Sequence, residues 1–319
     1  MAMDYGIIAP QGWRLDLVGI PDPAEAYEAM SRVAQEAEAQ GFRSLWLYDH
    51  FHTVPTPMQE ITFECWTGCT ALARDTQRIR IGQMVTCNSY RNPALLAKMA
   101  STVDALSHGR LELGIGAGWY ENEYLAYGYP YPSTRERLQR LHEAVQIILA
   151  MWTQDEAFFE GQYHQVRGAI NQPKGVQKPH IPLLIGGEGE KVTLRLVAQY
   201  ADACNIGGDI AHIKHKLDVL KQHCEEIGRD YNTIRRTTLI DYCAIAATEE
   251  AAIAKLTVEE RNNLDALLPE SLIGTPAMIR ERLKEYEEAG IQEIIIRFVD
   301  AVQLDSIRMF AQECMKVTG

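Results

Sequence analysis

Gly109 to Tyr124 reads GRLELGIGAGWYENEY. A short apolar run, Leu111 to Ile115, feeds a loop holding Gly116, Ala117 and Gly118, and Trp119, Tyr120, Glu121 and Asn122 follow at once. Glycines in such a loop let a planar ligand approach bare backbone, because no Cβ stands in the way. The Gly114-x-Gly116-x-Gly118 spacing is not the G-x-G-x-x-G of a dinucleotide fold, and no acidic residue closes a second strand about 20 residues on. The loop therefore needs a different scaffold.

Working outward, β-rich runs alternate with amphipathic stretches along the chain. Strands are expected near Tyr5–Ala9, Ser44–Tyr48, Ile79–Val85, Leu111–Gly116, Pro182–Gly186, Ala203–Ile206, Thr238–Ala246 and Glu293–Phe298. Helices are expected over Pro23–Gln40, with Pro at its start and Gly41 past its end, and over Pro93–Ser107, Ser133–Trp152, Glu190–Tyr200, Ile210–Ile227, Thr275–Ala289 and Leu304–Val317. Runs such as IPLLIGG and EIIIRFV suit parallel strands buried on both faces. Eight strand–helix units point to an α/β fold, a (β/α)8 TIM barrel, with a doubly wound sheet as the alternative. The 319 residues are read as one domain, 1–319, with two insertions expected on the C-terminal face of the strands: a hairpin at 157–175 and an irregular loop at 258–273.

The composition, 46% hydrophobic and 23% charged, is that of a globular chain with a sizeable core, and a formal charge of −12 argues against nucleic acid or an anionic membrane surface as partner. The seven cysteines form no C-x-x-C pair, so neither a disulfide framework nor a metal site is expected. The first residues lack the pattern of a signal peptide and no run is long enough to span a membrane, which leads us to expect a cytoplasmic protein.

In a barrel of this kind, function gathers at the C-terminal strand ends. Asp49-His50 ends the second strand, and a histidine beside a carboxylate can move a proton near neutral pH; the plainer reading is a histidine that pins a loop. Gly186 to Lys191 (GGEGEK) follows a buried strand and precedes a helix, which makes it a candidate anion site, although Glu188 and Glu190 would repel an anion if they faced it. His212 and His215 are read as part of a solvated helix face.

These residues carry a resemblance. LYDHF, YRNPALLAKMASTVDALSHGRLELGIGAGW, IPLLIGGEGEKVTLRLVAQYADACN and GTPAMIRERLKEYEEAGIQEIIIRF, in that order, resemble the bacterial luciferase-like oxidoreductases, and the wording is most similar to the deazaflavin (F420)-dependent branch. The resemblance implies F420 as cofactor, FMN with a flavin reductase as partner being the alternative, a homodimer, and hydride transfer to or from a small organic substrate. His50 would be the proton donor or acceptor, with Asp49 beside the ring. Met84-Val85 matches the family's non-prolyl cis peptide; Gly116, Ala117, Gly118 and Asn122 match ring and ribityl contacts; Gly186, Gly187, Glu188 and Gly189 match the phosphate turn. Trp119 stands where the sugar-phosphate dehydrogenases of the family carry an acidic residue. Trp13, Phe51, Trp119 and Tyr120 therefore suggest an apolar or aromatic substrate instead.

Overall fold

Eight strands run parallel and close on themselves: β1 (Asp4–Ile8), β2 (Ser44–Leu47), β3 (Arg80–Gln83), β4 (Leu111–Gly116), β5 (Leu183–Gly186), β6 (Ala203–Asn205), β7 (Arg235–Ile245) and β8 (Glu293–Phe298). The computed structural model describes residues 3–315. Neighbours pair in chain order, as in Ile7 opposite Leu45 and Ile115 opposite Ile185. Strand β7 completes the ring by pairing with β6 through Arg235 and Ala203, and with β8 through Thr237 and Glu293. Every residue of β2, β4 and β8 is buried, as the continuous apolar runs require when both faces of a sheet are covered. The fold is the expected (β/α)8 barrel.

The helices are α1 (Pro23–Gln40), α2 (Cys65–Asp75), α3 (Pro93–Leu106), α4 (Glu121–Ala126), α5 (Thr134–Thr153), α6 (Thr193–Tyr200), α7 (Ile210–Ile227), α8 (Glu249–Ala254), α9 (Val258–Asn262), α10 (Leu264–Leu267), α11 (Pro276–Glu288) and α12 (Asp305–Phe310). Helix α1 shows why the boundaries were readable. Asp22 accepts from the Glu25 N–H, Pro occupies the first turn, and Gly41 ends the helix at φ 91°.

The barrel interior is filled, not hollow. Trp46 is fully buried within it, and Gly6 and Gly82 leave the space it needs: a Cβ on Gly82 would lie 2.6 Å from the indole. Below Trp46, at the N-terminal strand ends, Glu112 pairs with Arg43 (2.9 Å), Arg80 and Arg235, while Glu293 pairs with Arg43 (3.2 Å) and Arg235 (3.0 Å). Burial works against the Glu112 charge, but the three guanidinium groups overcome it and hold the carboxyl down to about 2. This closed, ion-paired floor leaves the C-terminal strand ends as the open face.

Four expectations need correcting. The strand expected over 79–85 breaks after Gln83; Met84-Val85 is a cis peptide, and Thr86–Cys87 resumes pairing alongside Ile115 and Gly116. The helix expected from Glu190 begins at Thr193. The hairpin forms, Glu156–Glu160 against Gln165–Ile170, but it lies along α5, where the Glu143 carboxylate accepts the N–H groups of Gln162, Tyr163 and His164. The segment 258–273 is not irregular: it holds α9, α10, a 3-10 turn at Leu268–Glu270 and a short strand, Leu272–Gly274, parallel to the end of β7. At the C-terminal end, α12 passes into a π-helical turn at Ala311–Met315; Lys316 and Val317, expected to end that helix, lie outside the described residues.

Candidate active site

Each strand delivers a loop to the open face, and two adjoining cavities lie among them. One, of 290 Å3, is walled by Trp13, Tyr48, His50, Met84, Val85 and Trp119, among others. The second, of 360 Å3, ends at Gly187, Glu188, Gly207 and Gly208. Leu239 and Asp241 border both, so the pair forms an elongated cleft from His50 to the Gly-Gly turn.

His50 is held on three sides. Its ring stacks on Trp13 with centroids 4.1 Å apart and planes 3° from parallel, and Trp119 meets it edge-on at 5.9 Å. Its Nδ1 lies 2.7 Å from Glu123 Oε2. Glu123 is fully buried and also accepts from the N–H groups of Phe51 (2.8 Å) and His52 (3.4 Å) and from the Tyr90 hydroxyl (3.1 Å). Burial opposes ionisation of Glu123, yet the His50 hydrogen bond and charge, with the two backbone donors, hold the carboxyl below its ordinary range. An ionised carboxylate only accepts, so Nδ1 carries the proton. Nε2 has no partner among the described residues, and the ring borders the cavity.

Asp49 does not serve His50 in this way, which corrects the reading of the Asp49-His50 dipeptide as a proton pair. The Asp49 carboxylate is gripped by Arg91 at 2.6 and 3.0 Å and accepts the Cys87 N–H at 2.8 Å. It thereby ties the β2 end to the segment just after the Met84-Val85 peptide. Glu123 is the residue that sequence reasoning missed as the partner of His50.

The glycines also read differently. A Cβ on Gly114 would sit 1.9 Å from the Gln83 carbonyl oxygen, one on Gly116 2.8 Å from Val85 Cγ2, and one on Gly186 2.9 Å from Val85 Cγ1. Their bare backbone makes room for the chain's own bulge, which pushes Val85 toward the cavity. Gly118 reaches the cavity wall at φ 79°, wedged beside the Tyr124 hydroxyl and Cys87 sulfur. Ala117 packs against the core, and Asn122 is exposed on α4 and lines neither cavity. Phe51 turns into an aromatic cluster with Tyr90 (4.6 Å) and Tyr127 (4.5 Å), away from the cavity wall where it was expected. Trp13, Trp119 and Tyr120 do line it, and Trp119 is 60% exposed, which rules out a core-packing role.

At the far end, Gly187 (φ 118°) and Gly208 (φ 98°) shape two neighbouring turns, after β5 and after β6, and Val192 precedes α6 without a side-chain cap. Gly189 accepts the Leu194 N–H at 3.0 Å and so belongs to the turn itself. Glu188 is paired with His212, and Glu190 with His215 (3.0 Å) and Lys216 (2.6 Å). The histidines read as a solvated face thus hydrogen-bond the two glutamates, and the Lys216 ammonium pairs with Glu190, which offsets part of the electrostatic objection to an anion at this turn.

Against this geometry, residues 3–269 match the family model described as luciferase-like monooxygenase. An F420-dependent glucose-6-phosphate dehydrogenase of Kineococcus radiotolerans is 32% identical over 243 residues, 72% of this chain and 70% of its own. An FMNH2-dependent dimethylsulfone monooxygenase of Pseudomonas putida is 25% identical over 301 residues, 84% of this chain and 82% of its own. Among solved structures, an F420-dependent secondary alcohol dehydrogenase in complex with an F420-acetone adduct superposes with a TM-score of 0.82 at 22% identity over 98% of both chains, a likeness of fold. With its barrel closed, its site at the strand ends and most of its length matched by the family model, the chain belongs to the luciferase-like monooxygenase family.

Proposed function

We propose that the chain is an F420-dependent oxidoreductase acting on a small apolar or aromatic organic substrate, with His50 as the proton donor or acceptor. The observation that carries this reading is the His50–Glu123 pair, which fixes the proton on Nδ1 and turns the ring's edge to an aromatic cavity. The cleft suits an elongated cofactor with a planar end and an anionic end. Met84, Val85 and Gly118 would bed the ring beside His50, and Gly187 to Gly189 with the uncapped start of α6 would take the anion. When bound, F420 supplies the hydride chemistry. The chain's own part is to hold substrate between Trp13, Trp119 and Tyr120, to exclude water there, and to give or take a proton at His50 Nε2.

Titrating the apo-protein with F420 and with FMN tests the reading. F420 is expected to bind at least tenfold more tightly, and His50→Asn to abolish turnover while keeping F420 affinity within about twofold. Tighter FMN binding, with oxygen consumed when a flavin reductase is supplied, would establish the monooxygenase reading instead.

A further inference from the structure

Beside the His50 cavity lies a larger one, of 580 Å3, bounded by Arg14, Leu15, Val54, Tyr242, Leu267 and Arg297, among others. Arg14 borders both cavities, and its ion pair with Asp241 forms the partition between them. The feature that needs explaining is Arg297, at the end of β8. It is only 6% exposed, its Nε donates to the Asp241 carbonyl at 2.7 Å, and its guanidinium lies 5.2 Å from the centre of the Tyr242 ring. Its two terminal nitrogens have no acceptor within the described residues. With the stem buried and Nε engaged, the terminal N–H groups reach the space of the cavity, where an entering acceptor meets them.

The other charges around this cavity are already engaged. Arg14 is held by Asp241, Lys255 by Asp300 (2.8 Å) and Ser306 (2.6 Å), and Glu260 by the Thr257 N–H (2.8 Å). Glu259 is exposed. Asp16 faces Arg297 without an ion pair to it and accepts the Gly12 N–H at 2.6 Å; burial pushes its carboxyl above the ordinary range, against the pull of Arg297.

We propose that the Arg297 cavity receives the carboxylate of the substrate, so that the substrate is an organic acid whose apolar body reaches past Arg14 toward His50. A planar guanidinium gives a carboxylate two parallel hydrogen bonds, and Leu15, Val54 and Leu267 offer an apolar passage beside it. The inference rests on the oxidoreductase reading for what happens at the other end of the cleft; the carboxylate site itself does not need it.

The test uses the full chain, with phenylacetate and its neutral isostere phenylacetamide as probes in calorimetric titrations. Phenylacetate should bind at least about tenfold more tightly than the amide. In Arg297→Gln the two should come within twofold of each other. If Arg297→Gln does not fold, Arg297→Lys carries the test: it keeps the charge but loses the fork, so phenylacetate should weaken by about fivefold while still outbinding the amide. No measurable phenylacetate binding, no preference over the amide, or a preference unchanged in these variants overturns the proposal. F420 is titrated separately on the same proteins. Failure to bind F420 with the Arg297-dependent preference intact sinks the cofactor reading and leaves the carboxylate site standing.

Discussion

Glu123→Gln inverts the chemistry of His50 without removing a heavy atom. One end of the Glu123 carboxylate serves two backbone donors, Phe51 N–H at 2.8 Å and His52 N–H at 3.4 Å, and the other meets His50 Nδ1 at 2.7 Å and the Tyr90 hydroxyl at 3.1 Å. A glutamine has only one oxygen. The two backbone donors cannot turn away, so the oxygen goes to them and the NH2 group faces His50. Nδ1 must then accept, and the imidazole proton moves to Nε2, at the opposite edge of the ring. In the native protein the charge-assisted bond favours the Nδ1–H tautomer by about 1.5–3 kcal/mol, a ratio of roughly 10 to 150. Nitrogen-15 NMR of the histidine side chains reads the tautomer directly, with no knowledge of the substrate. Nδ1–H is expected in the native protein and Nε2–H in Glu123→Gln. In the reaction direction that needs Nε2 as a base, turnover should fall about 10²–10⁴-fold, with F420 affinity within twofold of native. An unchanged tautomer in Glu123→Gln would refute the argument that this carboxylate sets His50.

Asp49→Asn, by contrast, should leave the His50 tautomer alone and cost about 3 kcal/mol in urea unfolding, because the amide NH2 cannot accept from Arg91 or the Cys87 N–H, and Arg91 keeps Glu64 (2.6 Å) as its one charged partner; an altered tautomer would restore Asp49 as the partner of His50. Gly114→Ala should cost about 3 kcal/mol or more, or yield insoluble protein, since its Cβ meets backbone at 1.9 Å, whereas Gly19→Ala, with no atom within 4 Å, should cost only about 1 kcal/mol for its φ of 93°. The floor of the barrel gives an acid-stability signature. Glu112 is ionised down to about 2 in the folded chain, so its stabilisation is complete above the unfolded carboxylate range near pH 4.5 and is lost as pH falls toward 2. Burial raises Glu293, helped by the neighbouring Glu112 charge, and acts in the opposite sense, so the difference between the native protein and Glu112→Gln reads Glu112 together with its effect on Glu293. Parallel denaturation curves for the two between pH 4.5 and 2 would contradict that assignment.

What the sequence revealed and what it concealed divide along physical lines. The barrel was legible because each buried strand needs an unbroken apolar run and each helix needs a cap, and both are local signals. The break at Met84-Val85 left no such signal, since MVTC continues the apolar character of β3 without pause; only the family resemblance marked it. Glu123 was hidden for a different reason. Helix α4 has six residues, too few for a periodicity to show that Glu123 and Tyr124 face inward. The error over Asp49 was avoidable. Residues on an extended chain alternate in direction, so Tyr48 and His50, which both pack against Trp13, tilted at 4.4 Å and stacked at 4.1 Å, share a side, and Asp49 points away from it. A carboxylate adjacent in sequence on a strand is therefore a poor candidate for a histidine's partner, and one arriving from another strand's loop is a better one. The same geometry reassigns the glycines of the LGIGAG run: a neighbouring strand that bulges inward needs glycine opposite it whether or not a ligand is bound. Substituting Gly116 should accordingly disturb folding before it disturbs cofactor affinity, whereas substituting a cavity-wall residue such as Trp119, 60% exposed, should weaken substrate binding while leaving folding intact.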